Sequence, residues 1–163
     1  MKTLHLIRHA KSCWDNPGLS DIARPLNPRG IKACASMAKP MRKAGCDFAH
    51  VFCSPAVRTQ TTIELLSQQL PHKIHWQLDP ALYTFTDAVL LDWLQQRDNH
   101  LASVVIVGHN PALTDLCNRL SQSTLANIPT CGYVQLISAA ESWHELGEGS
   151  MELTGFLTPK LYR

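Results

Sequence analysis

The sequence lacks the features that would place it in several protein classes. Its longest apolar runs are far below the ~18–20 residues that span a bilayer, and the apolar run at the N-terminus ends at Arg8, too early for a signal peptide. There is no block of like charge, and the net charge is only +2, which argues against nucleic acid or a membrane surface as a partner. We therefore expect a cytoplasmic protein that binds neither.

The six cysteines also lack the spacing of known cysteine sites. No pair is separated by two residues, and no pair is followed by paired histidines as in a zinc finger. Without a secretory signal, reduced thiols are the expectation. No cluster of carboxylates is present that would hold a metal ion, so we predict neither a metal nor a cofactor.

What the chain does contain is enough apolar material for one globular core. It has 163 residues, of which 45% are hydrophobic and 17% charged. A chain of this length buries most of its unfolded surface without help from disulfides or metal. We predict a single domain over residues 1–163. The eight histidines stand out, because this side chain changes its charge near neutral pH and serves as nucleophile and base.

Strand-like and helix-like segments alternate along the chain. Short apolar runs predict strands at 4–7, 50–53, 74–78, 104–107, 133–137 and 151–157. Helices are predicted from 28 towards 45, from 55 to 70, from 88 to 94 and from 111 onwards. Three of these begin with a cap residue followed by proline. The alternation predicts an α/β fold, a three-layer α/β/α sandwich with a mostly parallel central sheet and antiparallel pairing at one edge.

Three of the predicted strands run into junctions with phosphate-binding side chains. The first ends at Arg8 and His9, the second is followed by Arg58, and the fourth by His109. The carboxyl ends of parallel strands lie along one edge of a sheet, where α/β proteins bind ligands. Helix N-termini there add N–H donors for an anion. We therefore expect these four side chains to converge on one dianion, with neighbouring Asn110 as a further substrate-binding candidate.

Two arginines and two histidines are suited to phosphoryl transfer without a metal. A neutral histidine can attack phosphorus, and nearby arginine charges lower its pKa and keep it neutral. The other groups would stabilise the charge on the phosphoryl oxygens. Competing patterns are missing: four residues separate Cys53 from Arg58 where a cysteine phosphatase needs five, and no Asp-x-Asp pair, P-loop or serine-hydrolase elbow occurs.

These motifs resemble those of the histidine phosphatase superfamily, also called phosphoglycerate mutase-like. They are Arg8-His9-Ala10, Ser54-Pro55-Ala56-Val57-Arg58 and Gly108-His109-Asn110. The short chain, with Arg24-Pro25-Leu26 and Arg29-Gly30, is similar to the small SixA-type branch of phosphohistidine phosphatases.

The resemblance implies a phosphoglycerate mutase-like fold and a role for each junction residue. His9 would be the nucleophile that carries a transient phosphoryl group. Arg8 and Arg58 would bind the phosphoryl oxygens, and His109 would stabilise the transferring group. Larger relatives carry a glutamate general acid on an insertion in mid-chain, but segment 79–84 here contains none. Asp21 is our candidate for that acid, and a solvated loop carboxylate is the alternative.

The missing glutamate bears on the substrate. An alkoxide leaving group needs a proton, whereas phosphohistidine leaves as imidazole, and an uncapped site admits a side chain on a protein surface. We therefore expect a phosphohistidine-bearing protein as the partner of a metal-independent, monomeric phosphatase. Two alternatives stay open: a small-molecule phosphomonoester phosphatase or mutase of the same superfamily, and a phospho-binding module that has lost turnover.

Overall fold

Six strands and four helices form the protein in the computed structural model, which describes residues 1–163. The strands are β1 Lys2–Arg8, β2 Val51–Cys53, β3 Trp76–Leu78, β4 Ser103–Gly108, β5 Tyr133–Ser138 and β6 Glu152–Leu157. The helices are α1 Pro28–Lys43, α2 Val57–Gln68, α3 Asp87–Gln95 and α4 Ala112–Ser121. None of these helices is long and apolar enough to cross a membrane.

All six strands belong to one sheet, in the order β3-β2-β4-β1-β5-β6. The first four strands along the chain run parallel to one another. Strand β5 is antiparallel to β1, and β6 is antiparallel to β5 at the edge. The mostly parallel sheet and its antiparallel edge are therefore confirmed.

The helices cover both faces of this sheet. Along β4, Val104 and Ile106 pack into one apolar cluster with α3 and α4, while Val105 and Val107 pack into a second cluster with α1 and α2. All four side chains are fully buried. A continuous β-branched run is typical of a strand that is covered on both faces. The predicted three-layer α/β/α sandwich is confirmed.

Strand register brings the three junctions of the sequence together. Arg8 at the end of β1 lies opposite Gly108 at the end of β4, and Cys53 at the end of β2 lies opposite Val107. Backbone hydrogen bonds continue past the strand ends, since the amide of His9 donates to the carbonyl oxygen of Gly108. The carboxyl ends of three adjacent strands thus form one edge from which the site is built.

Only one of the three cap-and-proline signals starts its helix where predicted. Helix α1 begins at Pro28, and the side chain of Asn27 accepts a hydrogen bond from the amide of Gly30 at 2.8 Å. Helix α2 begins at Val57 rather than residue 55, and α4 begins one residue later than predicted. The Ser54 hydroxyl does not cap α2; it accepts from the amide of Ala56 and contacts His109 in the site.

Candidate active site

His9 is a buried histidine whose tautomer is fixed by its surroundings. Its Nδ1 lies 2.7 Å from the carbonyl oxygen of Ala10, and a carbonyl only accepts, so Nδ1 carries the hydrogen. Nε2 therefore holds a lone pair, and it makes no hydrogen bond within the protein. Burial, and after it the charges of Arg58 and Arg8, lower the pKa of His9 to about 4, against an opposing contribution from the Ala10 contact. The ring is neutral at neutral pH.

The backbone around His9 is held from two sides. The amide of Ala10 donates to Thr62 Oγ1 at 2.9 Å, and the Thr62 hydroxyl donates to the carbonyl oxygen of Arg58 on α2. The amide of Cys131 donates to the carbonyl oxygens of both Arg8 and His9. Since these contacts fix the peptide units on either side, the imidazole is held in a defined place without a contact to Nε2.

His109 has a different set of partners. Its Nδ1 lies 3.3 Å from Arg58 Nη2, which only donates, so this nitrogen accepts and Nε2–H donates to Ser54 Oγ at 2.8 Å. The ring lies 5.4 Å from that of His9, centroid to centroid. Burial, followed by the charge of Arg58, lowers the pKa of His109 to about 3. Both histidines are therefore neutral and adjacent.

The two arginines flank this histidine pair. Arg8 donates from Nη1 to the carbonyl oxygen of Ile128 at 2.9 Å, and burial lowers its pKa without removing its charge. Arg58 is almost fully buried and donates to His109 and to Asp21. The Nε of each guanidinium is buried and has no partner in the protein. Such donors are rare, and a bound oxyanion is one group that satisfies them.

Asp21 is the acid candidate, and the structure gives it another place. Its Oδ2 accepts from Arg58 Nη2 at 2.9 Å and from the Tyr83 hydroxyl at 2.6 Å, and its Oδ1 accepts from Arg24. Desolvation raises the pKa of Asp21, but the hydrogen bonds from Tyr83 and Arg58 outweigh it and lower the pKa to about 2. A carboxylate in this state holds no proton at neutral pH, which does not favour Asp21 as the general acid, and that role stays a prediction.

Asn110, predicted as a further substrate-binding residue, makes four hydrogen bonds within the protein. Its Nδ2 donates to Asn127 Oδ1 and to the carbonyl oxygen of Ile128, both at 2.9 Å. Its Oδ1 accepts from the amide and the hydroxyl of Thr114 in the first turn of α4. All the hydrogen-bonding groups of the side chain are used within the protein, so none is left for a substrate.

Sequence reasoning missed two residues that the structure brings into the site. Ser54 was interpreted as a helix cap, but it accepts the hydrogen bond that fixes the tautomer of His109. Tyr83 follows a 3₁₀ turn over Pro80–Leu82, and its ring lies 5.4 Å from that of His109. Segment 79–84 contains no glutamate, and its tyrosine is the signal that the sequence offers for this contact.

Comparison with known proteins agrees with this arrangement. The model of the histidine phosphatase superfamily (branch 1) matches residues 4–84, the part that carries Arg8, His9 and Arg58. The chain belongs to the histidine phosphatase superfamily. An uncharacterized chloroplastic protein of Arabidopsis thaliana is 26% identical over 97% of this chain and 78% of its own. An uncharacterized protein of Mycobacterium tuberculosis is 26% identical over 94% of this chain and all of its own.

Solved structures of several phosphatases have the same fold. A SixA-type protein from Nakamurella multipartita superimposes with a TM-score of 0.82 at 22% identity, over 97% of this chain and 96% of that one. The protein histidine phosphatase SixA in complex with tungstate gives 0.79 at 20% identity, over 99% of both chains. A phosphoserine phosphatase from Entamoeba histolytica gives 0.65 at 17% identity, over 97% and 98%. The phosphoglycerate mutase-like fold is thereby established, while these structures differ in substrate.

Proposed function

We propose that the protein is a phosphatase that transfers the phosphoryl group of its substrate to His9 and then to water. The observation that carries this proposal is the tautomer of His9. Because Nδ1–H donates to the Ala10 carbonyl, the lone pair of Nε2 is available beside two guanidinium groups. A neutral nucleophile next to fixed positive charge is what attack on a phosphoryl dianion requires. Membership in the histidine phosphatase superfamily supports the same chemistry.

The remaining groups would stabilise the phosphoryl oxygens. Arg8 and Arg58 each hold a buried Nε–H without a partner, and an oxyanion satisfies both. His109 has no free N–H in this state, because its Nε2–H donates to Ser54 and its Nδ1 accepts from Arg58. An arriving dianion raises the pKa of a neighbouring imidazole, so Nδ1 would take a proton from water as Arg58 turns its N–H to the phosphoryl group. The new Nδ1–H would then donate a hydrogen bond to a phosphoryl oxygen. The charge needed for transfer then comes from side chains, and we propose that no metal takes part.

We propose further that the substrate is phosphohistidine on a protein. The site contains no carboxylic acid that is protonated at neutral pH, since the pKa of Asp21 is about 2. Any other proton donor in the site is a weaker acid than a carboxylic acid, and this favours a leaving group that departs more readily than an alkoxide. Apolar side chains also flank the site: Trp14 stacks on Arg24 and is 74% exposed, and Phe85, 5.5 Å from His109, is 46% exposed. Such a rim suits a protein surface better than a small sugar phosphate.

The test compares a histidine-phosphorylated protein with small phosphomonoesters in the presence of EDTA. We expect phosphate release to be faster from the protein, to persist with EDTA and to vanish in His9→Ala. The matched control is His72→Ala, an exposed histidine outside the site, which should retain activity. Mass spectrometry should detect a phosphoenzyme in the wild type that His9→Ala lacks.

Other results would point to the alternatives. Equal or faster turnover of the phosphomonoesters contradicts the protein substrate and favours a small-molecule phosphatase. A phosphoenzyme that accumulates without releasing phosphate contradicts turnover and favours a phospho-binding module. Activity retained in His9→Ala contradicts the covalent mechanism itself.

A further inference from the structure

One carboxylate oxygen of Asp21 occupies a position in which two donors can bind an anion. Asp21 Oδ2 accepts from Arg58 Nη2 at 2.9 Å and from the Tyr83 hydroxyl at 2.6 Å. The same Arg58 nitrogen lies 3.3 Å from His109. A carboxylate oxygen here stands in for a phosphoryl oxygen, because both are anionic acceptors of the same donors. The Tyr83 hydroxyl is therefore one hydrogen bond away from the place where Arg58 would hold a phosphoryl group.

The backbone holds Tyr83 in this position. Its amide donates to the carbonyl oxygen of Pro80, which closes the 3₁₀ turn after β3. Asp79 anchors the turn, since its amide donates to the carbonyl oxygen of Cys53 and its side chain accepts from Trp93. The Tyr83 ring packs edge-on against His109. The hydroxyl is thus placed by fixed elements at the sheet edge.

We propose that Tyr83 is a catalytic residue that donates its hydroxyl proton to the leaving group, and that Asp21 holds this hydroxyl until a phosphoryl group displaces the carboxylate. The inference rests on the proposed function. The Asp21 side chain is 44% exposed, so it can turn out to water when the dianion arrives. The Tyr83 hydroxyl then lies beside the phosphoryl group, and we infer that it turns from the phosphoryl oxygen to the leaving atom on the same phosphorus.

The reaction has two steps, transfer of the phosphoryl group to His9 and then to water. In the first, the lone pair of His9 Nε2 forms a bond to phosphorus. The bond from phosphorus to the leaving nitrogen breaks, and that nitrogen keeps the pair and takes the Tyr83 proton. In the second, water attacks phosphorus while the Tyr83 phenolate takes one of its protons. The bond to His9 breaks, its electron pair returns to Nε2, and inorganic phosphate leaves.

The protonation of Tyr83 agrees with this role. The hydrogen bond to Asp21, followed by desolvation, raises the pKa of the phenol above its usual value near 10. The hydroxyl therefore carries its proton throughout the neutral range. The Arg58 guanidinium, which lowers the pKa of Tyr83, lies beside the oxygen that would become the phenolate.

The experiment measures kcat/KM for Tyr83→Phe, because this constant reports formation of the phosphoenzyme. A phosphohistidine peptide is one substrate, measured from pH 6 to pH 9. Above the imidazole pKa of about 6.5 its ring no longer brings its own proton, so dependence on Tyr83 should grow. The second comparison is between phenyl phosphate, which releases a poor leaving group, and p-nitrophenyl phosphate, which releases a good one. Tyr162→Phe is the matched control, since that hydroxyl bonds no site residue.

We expect Tyr83→Phe to lose about 10²- to 10³-fold in kcat/KM with phenyl phosphate and with the peptide at pH 9. With p-nitrophenyl phosphate and with the peptide at pH 6 it should stay close to the wild type. An equal loss with every substrate and at every pH, or no loss, overturns the inference while leaving the proposed function intact. Absence of turnover by the wild-type protein on all substrates overturns both. Circular dichroism confirms that the variant is folded.

Discussion

Asp21→Asn should strengthen the binding of oxyanions to this phosphatase-like site. The carboxylate occupies Arg58 and Tyr83, so an anion must displace it before it can use those donors. An asparagine keeps the shape of the side chain but not its charge. Removing that charge weakens the contact to be broken and also removes repulsion of the incoming dianion.

The size of the effect follows from the pKa of Asp21. Hydrogen bonds and charge lower it from 3.8 to about 2, against desolvation that raises it. Such a shift would correspond to about 2.5 kcal/mol if the carboxylate were fully shielded. Its side chain is 44% exposed, and solvent screening reduces the contribution to about 1 kcal/mol. This predicts about fivefold tighter binding by the variant.

Isothermal titration calorimetry with tungstate or inorganic phosphate measures this difference. Wild type and Asp21→Asn should be compared at pH 7, with Asp15→Asn as a control for the general loss of one negative charge in the same loop. Weaker binding in Asp21→Asn would refute the reasoning. It would mean that Asp21 orients Arg58 for the anion rather than competing with it.

Two further predictions concern stability. Because the pKa values of His5 and His9 are lowered to about 4 and that of His109 to about 3, the unfolded chain binds more protons below pH 6.5. The free energy of unfolding in urea should therefore fall as pH drops from 6.5 towards 4, and stay level from pH 6.5 to about 8, below the ordinary thiol pKa; a level value down to pH 4 would contradict the neutral histidines. Gly30→Ala should lower the free energy of unfolding by about 2 kcal/mol and Tm by roughly 4–8 °C, because the new Cβ would lie 2.3 Å from the Lys11 carbonyl oxygen. Gly147→Ala, with nothing within 4 Å of its added Cβ, is the control and should leave Tm unchanged.

The convergence of the four junction residues could be predicted because it depends on two short-range signals. Apolar runs mark the strands, and parallel strands place their carboxyl ends together. Arg8 is the last residue of β1, His9 directly follows it, and His109 directly follows β4, so no loop intervenes to carry them elsewhere. Arg58 lies in the first turn of α2, close enough to its strand for the same argument to hold.

The contacts of Asp21 and Tyr83 could not be predicted, because both residues lie in segments whose path depends on tertiary packing. The loop that follows His9 is held by Arg24, which bonds both Ser12 and Asp21. The partner of Asp21 on the other side, Tyr83, is 62 residues away. The contact of Ser54 has the same origin, since its hydroxyl bonds His109, 55 residues further along. Local propensity carries no information about such partners.

The two histidines of the site illustrate how the partner, and not the residue type, sets the role. Both are buried beside guanidinium groups, and both are neutral. His9 meets a carbonyl at Nδ1, which leaves the lone pair of Nε2 for phosphorus. His109 meets a hydroxyl at Nε2 and a guanidinium at Nδ1, which leaves no nucleophilic nitrogen, only a basic one that an arriving dianion can protonate. In the mechanism that we propose, one imidazole attacks and the other stabilises, and the difference between their free nitrogens arises from one backbone carbonyl and one serine.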